Sequence, residues 1–225
     1  NKGSQLGKIL FLISFKLYKN KKILAVIPAR GGSKGIPMKN LKTINGKSLI
    51  EIVSNCIENC QYIDNSVLSS DNEEILNEGK KFGLYSEFKR PKNLSGDRVS
   101  DVPVLIHSLN EMEKRLDLSF DIIIMLQPTA PNRKSKDIDN VITEIVDKKF
   151  DTVWTVNEVD LKFHPDKQLI INNDKNLRYF TEKGKSIISR QELNKTFMKN
   201  GNAYALTKNF LLEEQKLLGK KSGFI

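Results

Sequence analysis

The apolar run Ile23–Pro28 (ILAVIP) leads directly into the glycine-rich run Ala29–Gly35 (ARGGSKG). A continuous apolar run of this length is typical of a strand that is buried on both faces, as in a parallel sheet. Glycines after such a strand allow a tight turn whose successive N–H groups point at an anion. The junction therefore predicts an α/β fold with an anion site at the carboxyl end of its first strand.

Beyond this junction, short apolar runs alternate with amphipathic helical patterns, which predicts a largely parallel sheet with helices packed on it. Further strands are expected at Ser66–Ser69, near Leu84–Phe88, and at Asp121–Leu126, Thr152–Val156 and Ala203–Leu206. Helices are expected on the stripe Leu49–Cys60, at about Asn72–Phe82, from Ser100, from Ser135 and at Asn209–Leu218.

Two segments do not follow the alternation. Residues 158–194 are polar, with a hairpin pattern near Gln168–Phe180, and we expect them to leave the main sheet. Residues 1–21 are expected to be an extension of the domain at 22–225, either a cloning remnant or a segment without fixed structure. The apolar run Ile9–Ile13 is far shorter than the roughly 20 residues of a membrane span, and no small-residue cleavage site follows it.

The formal net charge of +10 raises the question of a nucleic-acid partner. Residues 1–22 contain six lysines and no acidic residue, and the rest of the chain has 31 basic and 27 acidic residues. Most of the excess therefore belongs to the extension, which argues against a basic nucleic-acid face. A charged fraction of 28% and a hydrophobic fraction of 39% are typical of a globular domain.

The cysteines and histidines do not predict a metal site. Cys56 and Cys60 continue the apolar stripe of the first helix, and a free cysteine in that place behaves as a small core hydrophobe. His107 is expected on the surface and His164, before a proline, is expected to be structural. Two isolated histidines do not make a metal site.

Arg30, Lys34 and Lys39 place three cations within ten residues of the glycine-rich run. A bound triphosphate needs amide donors and fixed positive charge, which also offsets the charge of departing pyrophosphate. The run matches neither the Walker pattern nor Gly-x-Gly-x-x-Gly, which argues against a P-loop NTPase and a Rossmann dehydrogenase.

The run Ile27–Asn40 resembles the signature of the acylneuraminate cytidylyltransferases, the CMP-sialic acid synthetases. Further motifs resemble the family's in the same order, over about residues 22–222: Ser69–Asp71, Arg90 to Asp97, Leu126–Arg133, His164–Lys167, Arg190–Gln191 and Asn200–Tyr204. The resemblance implies a three-layer, Rossmann-like nucleotidyltransferase fold that works as a homodimer. It implies that the anomeric hydroxyl of a nine-carbon acidic sugar attacks the α-phosphate of CTP with the help of Mg²⁺. A need for CTP in turn suggests a cytoplasmic location.

The resemblance also implies roles for individual residues. The catalytic cations are Arg30, Lys34 and Lys39. The nucleotide-binding set is Arg30, Gly31, Gly32, Ser33, Lys34, Lys39, Asn40, Ser70, Asp71 and Arg90. The sugar-binding set is Gln127, Thr129, Lys167, Arg190 and Asn200. Residues 158–194 are the implied dimerisation element, from which Lys167 and Arg190 reach the sugar carboxylate in the partner's site.

Simpler roles compete with these. Asp71 is also well placed to cap the following helix. Asp97 reads equally as a turn residue, and Gln127 as a partner for loop amides. Lys167 and Arg190 also fit two solvated charges.

The chain departs from the family's pattern in three places. The family's Ile-Asp-x-Asp-like segment, whose carboxylates bind the metal, does not occur before Ile225, so a truncated C-terminus is expected with the metal carboxylates beyond it. Relatives often have Phe-Arg-x-Asn-Gly at Phe197–Gly201, and this chain has Met198 in place of that arginine, followed by Lys199. Asn65 stands where some relatives have an arginine before the second strand. The open alternatives are another sugar nucleotidyltransferase, such as a 3-deoxy-manno-octulosonate cytidylyltransferase, and a non-catalytic nucleotide-binding subunit.

Overall fold

The computed structural model describes residues 16–225 of the chain. Within this range the backbone forms ten strands. They are β1 Ile23–Pro28, β2 Thr43–Ile44, β3 Lys47–Ser48, β4 Asn65–Ser69, β5 Ile122–Met125, β6 Thr152–Glu158, β7 Leu169–Ile171, β8 Leu177–Tyr179, β9 Phe197–Thr207 and β10 Ser222–Phe224. The same range contains five α-helices. They are α1 Leu49–Glu58, α2 Glu73–Lys81, α3 Asp101–Leu116, α4 Ser135–Asp147 and α5 Lys208–Glu214.

Six of the strands form the main sheet, in the order β10-β6-β9-β5-β1-β4. β1 pairs in parallel with β4 and β5, and β10 pairs in parallel with β6. β9 runs antiparallel to both of its neighbours, β5 and β6. The predicted mostly parallel sheet is therefore confirmed, with one reversed strand inside it.

The alternating side chains of β1 pack on two separate hydrophobic cores. Ile23 and Ile27 face a core shared with α1, α2 and α4. Leu24 and Val26 face a second core shared with α3 and α5. Since successive side chains of a strand point to opposite faces, an all-apolar β1 requires helices on both sides. The three-layer α/β fold expected from the resemblance is confirmed.

Several predicted boundaries change in the structure. The segment expected as a strand near Leu84–Phe88 forms only a single bridge, between Tyr85 and Val67. Helix α5 ends at Glu214, because Gln215 takes a left-handed conformation with φ of 49°. The β2–β3 hairpin and β10 were not predicted from the sequence.

The polar segment 158–194 leaves the main sheet, as predicted. Its strands β7 and β8 form a separate antiparallel hairpin. Of the predicted extension, residues 1–15 lie outside the described part of the chain. Residues 16–21 contact the domain: Lys16 Nζ donates to the Cys60 carbonyl at 2.8 Å, and the rings of Tyr18 and Tyr62 are 4.7 Å apart. No helix in residues 16–225 has the length and apolar character that a membrane crossing requires.

Candidate active site

A cleft of about 620 Å³ opens at the carboxyl ends of β1 and β5, where open α/β sheets bind their ligands. Its lining includes the predicted site residues Arg30, Ser33, Lys34, Lys39, Asn40, Arg90, Gln127 and Thr129. It also includes two carboxylates, Asp97 and Asp101. The fold thus brings together residues that lie up to about a hundred positions apart in the sequence.

A larger groove, of about 1060 Å³, lies at the amino ends of β5 and β6 and includes Asp121, Asp151 and Lys208 in its lining. It contains none of the predicted site residues. The smaller cleft is therefore the candidate site, because of these two it is the one lined by both the glycine-rich loop and the residues that follow β5.

The glycine-rich loop is fixed by the end of β4. The Gly31 N–H donates to Asp71 Oδ1 at 2.9 Å, and the Ala29 N–H donates to the Ser69 carbonyl at 2.9 Å. The next helix is capped by Asn72, whose Oδ1 accepts the Ile75 N–H at 3.1 Å. The simpler interpretation of Asp71 as the cap of α2 is therefore wrong, since its carboxylate holds the loop.

The residue type at position 31 follows from this close approach. A Cβ on Gly31 would lie 2.9 Å from the Cβ of Asn72, which is too close for a side chain. At the far end of the loop, the buried Asn40 side chain donates to the Arg30 carbonyl at 3.1 Å. The loop is thus held at both ends by side chains of the predicted nucleotide set.

The two cations at the centre of the loop share one carboxylate. Arg30 Nη1 lies 2.9 Å from Asp97 Oδ1, and Lys34 Nζ lies 2.5 Å from Asp97 Oδ2. The hydrogen bond from Lys34 holds the pKa of the Asp97 carboxyl below its usual value. Two cations that converge on the two oxygens of one anion are also arranged to bind phosphate oxygens. Asp97 is therefore part of the site and more than a turn residue.

The wall of the cleft next to this ion pair contains a buried arginine. Arg90 is 4% exposed, its N–H donates to the Ser70 carbonyl at 2.7 Å, and its Nε donates to Ser95 Oγ at 3.3 Å. Burial lowers the pKa of the Arg90 guanidinium, and the nearby Asp71 carboxylate raises it. Ser70 is fully buried and directly follows β4. The hydrogen bond between its carbonyl and the Arg90 N–H therefore connects the end of β4 to the segment that carries Asp97.

Asp101 is a site residue that the sequence reasoning missed, since it was read only as part of a helix start. It lines the cleft, and burial raises the pKa of its carboxyl while Lys199 and Arg90 lower it. The signal available in the sequence was an acidic residue one step after the capping Ser100. That pattern alone favours an ordinary first-turn acid, so it did not distinguish this position.

The opposite wall contains Gln127, which lies two residues beyond the end of β5. Arg133 is 7% exposed and donates to the carbonyls of Gln127 and Asn202, both at 2.5 Å, and of Gly201 at 3.3 Å. Burial lowers the pKa of Arg133 to about 10. Arg133 closes the Leu126–Arg133 motif, which by itself predicted no role for this side chain.

The Asn200 side chain is engaged within the protein. Its Oδ1 accepts hydrogen bonds from Thr155 Oγ1 at 2.7 Å and from the Asn202 N–H at 3.1 Å, and its Nδ2 donates to Asn157 Oδ1 at 3.0 Å. These bonds hold the irregular pairing between β6 and β9. Asn200 does not line the cleft, and its predicted contact with the sugar stays a prediction.

A sequence-family model described as cytidylyltransferase matches residues 24–219. The chain belongs to the cytidylyltransferase family. This confirms the resemblance that the motifs indicated and classes the protein as a nucleotidyltransferase enzyme.

Three curated relatives are similar over most of their length. A post-translational flagellin modification protein B from Campylobacter coli is 31% identical over 89% of this chain and 84% of its own. A pseudaminic acid cytidylyltransferase from Campylobacter jejuni is 30% identical over 86% of this chain and 82% of its own. A CMP-N,N'-diacetyllegionaminic acid synthase from the same species is 30% identical over 89% and 84%.

Among solved structures, a CMP:2-keto-3-deoxy-manno-octonic acid synthetase complexed with CTP superposes with a TM-score of 0.65. It is 20% identical and covers 89% of this chain and 80% of that one. At this identity the likeness establishes the fold alone.

The remaining predicted residues of this cytidylyltransferase do not line the cleft. Lys167 and Arg190 are exposed on the segment 158–194 and do not line the cleft within one chain. Gly31, Gly32, Ser70 and Asp71 are also absent from its lining.

The histidines and cysteines play structural parts. His107 is half-buried with its ring 5.5 Å from that of Phe88, and burial lowers its pKa, so the expected surface position is wrong. His164 is buried and its Nδ1 accepts the Asp166 N–H at 3.1 Å, which confirms a structural role. Cys60 is 2% exposed in the first core, as predicted. In the described residues no cluster of three or more metal-ligating side chains occurs.

Proposed function

We propose that this cytidylyltransferase transfers CMP from CTP to the anomeric hydroxyl of a nine-carbon acidic sugar, and releases pyrophosphate. The sugar is sialic acid or a relative of the legionaminic or pseudaminic type. The observation that carries the proposal is the pair of loop cations, Arg30 and Lys34, converging on one anionic group inside the cleft. The names of the relatives support the sugar class.

In this reaction the sugar oxygen bonds to the α-phosphorus while the bond to the β-phosphate oxygen breaks. Negative charge develops on the departing pyrophosphate, and fixed cations that meet it there lower the barrier. Arg30, Lys34 and Lys39 all line the cleft and are free to hold the triphosphate once Asp97 is displaced. Ser33 and the loop amides supply further donors. Asn40 and Arg90 contact the cytidine, and Ser70 and Asp71 support the nucleotide site through the backbone N–H groups of Arg90 and Gly31.

The sugar is proposed to lie against the second wall of the cleft, formed by Gln127 and Thr129. An amide side chain at a fixed position can both donate to and accept from sugar hydroxyls. The sugar's carboxylate needs a bidentate or point-charge partner, which Arg190 and Lys167 provide chemically. Neither side chain lines the cleft of its own chain, so we propose that a second copy supplies them.

The surface of residues 158–198 supports such a homodimer. Large apolar side chains that are at least 45% exposed are concentrated there: Phe163, Leu169, Ile171, Leu177, Tyr179, Phe180, Ile188, Phe197 and Met198. Monomeric proteins rarely expose contiguous apolar patches of this kind. Lys167 and Arg190 lie on the same segment, so a homodimer that buries this surface also places them at the interface between the two copies.

Mg²⁺ is the proposed cofactor, and the cleft fits it. Mg²⁺ is usually held by one or two carboxylates together with substrate phosphate oxygens. Asp97 and Asp101 are the carboxylates that line the cleft beside the loop, so these two would hold the ion on the triphosphate. When bound, it would offset phosphate charge; the residues themselves orient the triphosphate and the sugar. We place the enzyme in the cytoplasm, because CTP is available there.

The test is pyrophosphate release from CTP and Mg²⁺ with a panel of acidic sugars. The panel contains N-acetylneuraminic, legionaminic, pseudaminic and 3-deoxy-manno-octulosonic acids, with UTP and ATP as nucleotide controls. Turnover with CTP and at least one nine-carbon sugar is expected. Turnover with the octulosonate alone would contradict the proposed sugar class. CTP binding without turnover of any sugar would favour a non-catalytic subunit.

A further inference from the structure

Strand β9 bulges at Gly201, where its pairing with β6 shifts register, and this local turn of the backbone lies against the side chain of Gln127. We propose that Gly201 and Arg133 are positioning residues that fix the Gln127 amide in the sugar subsite, an inference that rests on the proposed function. Neither residue lines the cleft, so both act through Gln127.

Arg133 fastens the two chain segments together. Its buried guanidinium donates to the Gln127 carbonyl at the end of β5 and to the Gly201 and Asn202 carbonyls on β9. Three carbonyls on two segments are held by one planar group, which a single ammonium cannot reproduce in the same geometry. The backbone of Gln127 therefore cannot move without also moving the Gly201 turn.

Gly201 fixes the space next to the Gln127 side chain. Its φ is +78°, which favours glycine, and its N–H donates to the Tyr204 hydroxyl at 2.9 Å. A Cβ at this position would lie 3.3 Å from Gln127 Oε1. This separation is shorter than an ordinary contact of a Cβ, so one of the two groups would have to shift by a few tenths of an ångström. The amide would have to move, since the turn is held by Arg133 and Tyr204.

Two further bonds stop the turn from moving in its place. The Ala203 N–H donates to Thr155 Oγ1 at 2.9 Å, and the Asn202 N–H donates to Asn200 Oδ1 at 3.1 Å. The Tyr204 ring is itself packed against Trp154, with centroids 5.0 Å apart. The backbone around Gly201 is therefore held in place, and an added Cβ would displace the Gln127 amide at the cleft wall instead.

The chain offers a matched control for a glycine substitution. Gly46 and Gly83 have φ of +79° and +78°, and a Cβ on either would meet nothing within 4 Å. Gly201→Ala, Gly46→Ala and Gly83→Ala therefore carry a similar backbone penalty, and only the first presses on Gln127. We expect Gly201→Ala to raise the KM for the sugar about tenfold, because sub-ångström misplacement of a contact lowers rate and affinity. The KM for CTP should stay within about twofold in all three variants.

Arg133→Lys should shift the sugar KM in the same direction and leave the CTP KM unchanged. If this buried variant does not fold, Gly201→Ala still tests the inference. A double-mutant cycle separates positioning from plain destabilisation: in a Gln127→Ala background, Gly201→Ala should lose most of its effect on the sugar KM. An equal effect in both backgrounds would overturn the inference.

A crystal structure of Gly201→Ala supplies a readout that does not depend on the reaction. Displacement of the Gln127 amide relative to the Gly46→Ala structure is expected, and an unmoved amide would overturn the inference. Failure of the wild-type protein to use any acidic sugar would instead overturn the proposed function, so the two failures are distinguishable.

Discussion

Asp71 Oδ1 accepts the Gly31 N–H at 2.9 Å, so the end of β4 determines where the glycine-rich loop begins. A hydrogen bond to a charged acceptor contributes more than one between neutral groups, and without Asp71 the Gly31 N–H would lose this partner.

Asp71→Ala should weaken CTP binding about tenfold, since losing a charge-assisted hydrogen bond costs about 1–3 kcal/mol. Asp71→Asn keeps an acceptor oxygen, so its affinity for CTP should lie between those of the wild type and Asp71→Ala. Titration calorimetry with CTP measures both. Asp174→Ala, an exposed turn variant, is the control and should bind as the wild type does. Equal CTP affinity in all four proteins would show that Asp71 does not fix the loop.

The shared carboxylate of Asp97 gives a second prediction. Each of its ion pairs is partly exposed and contributes little to stability. A phosphate must displace the carboxylate before it can reach Arg30 and Lys34. Asp97→Asn should therefore tighten metal-free binding of pyrophosphate by about fivefold, a small effect because both ion pairs that compete with the phosphate are exposed to solvent.

Calorimetry in EDTA measures this change, and the melting temperature should move by no more than a few degrees. Asp160→Asn, which removes an exposed carboxylate on the segment 158–194, is the matched control. If Asp97→Asn bound pyrophosphate more weakly than the wild type, the carboxylate would be supporting the cations instead of competing for them.

Much of the fold was predictable because local pattern and tertiary role agree. The all-apolar β1 and β5 can only lie in the middle of a covered sheet, and helical stripes mark the covering faces. The β2–β3 hairpin was missed although its turn is Asn45-Gly46, because its strands are two residues long. The strand β10 was missed because its residues, Ser222–Phe224, are short and carry no alternation.

The site was predictable only as far as motifs extend. The loop cations and Gln127 do share a cleft, because they follow the carboxyl ends of β1 and β5, which are parallel neighbours in the sheet. The partners of those residues depend on tertiary geometry that spacing does not encode. Asp97 meets Lys34 across 63 positions, and Arg133 meets Asn202 across 69. The half-buried position of His107 likewise follows from its packing on Phe88.

The half-buried carboxyl of Asp101 predicts a pH dependence of stability. Burial raises its pKa above the unfolded value. In the window between the two values the folded state keeps a proton that the unfolded chain has lost, so this group's contribution falls as pH rises through that window. Above the folded pKa the charged carboxylate is a constant penalty, which Arg90 and Lys199 reduce only in part.

Asp101→Asn should remove that penalty. Its free energy of unfolding relative to the wild type should rise as pH increases from about 4, the usual carboxyl value, and then level off once the pH exceeds the raised pKa of the folded state. Urea denaturation across this range measures the difference. Asp174→Asn, an exposed substitution, should show no such trend. A difference that is independent of pH would show that the Asp101 carboxyl titrates as it does in the unfolded chain.

The apolar surface of residues 158–198 gives a prediction about assembly. Ile188 is 93% exposed, so Ile188→Glu places a charge in the proposed interface without disturbing the fold of one chain. Light scattering after gel filtration should show a shift from dimer to monomer, and sugar turnover should fall at least tenfold because the partner's Lys167 and Arg190 are lost. Leu218→Glu, an exposed site outside this segment, should remain dimeric and active.

Complementation tests whether the site is shared between copies. Arg30→Met disables the loop of its own chain, and Arg190→Met disables only the residue that reaches across. Each variant alone should be nearly inactive, since each lacks one anion contact in every site. After the two are unfolded and refolded together, mixed dimers contain one intact site, so activity should reappear. Mixtures that stay as inactive as either variant would mean that Arg190 serves its own chain or does not contact the sugar.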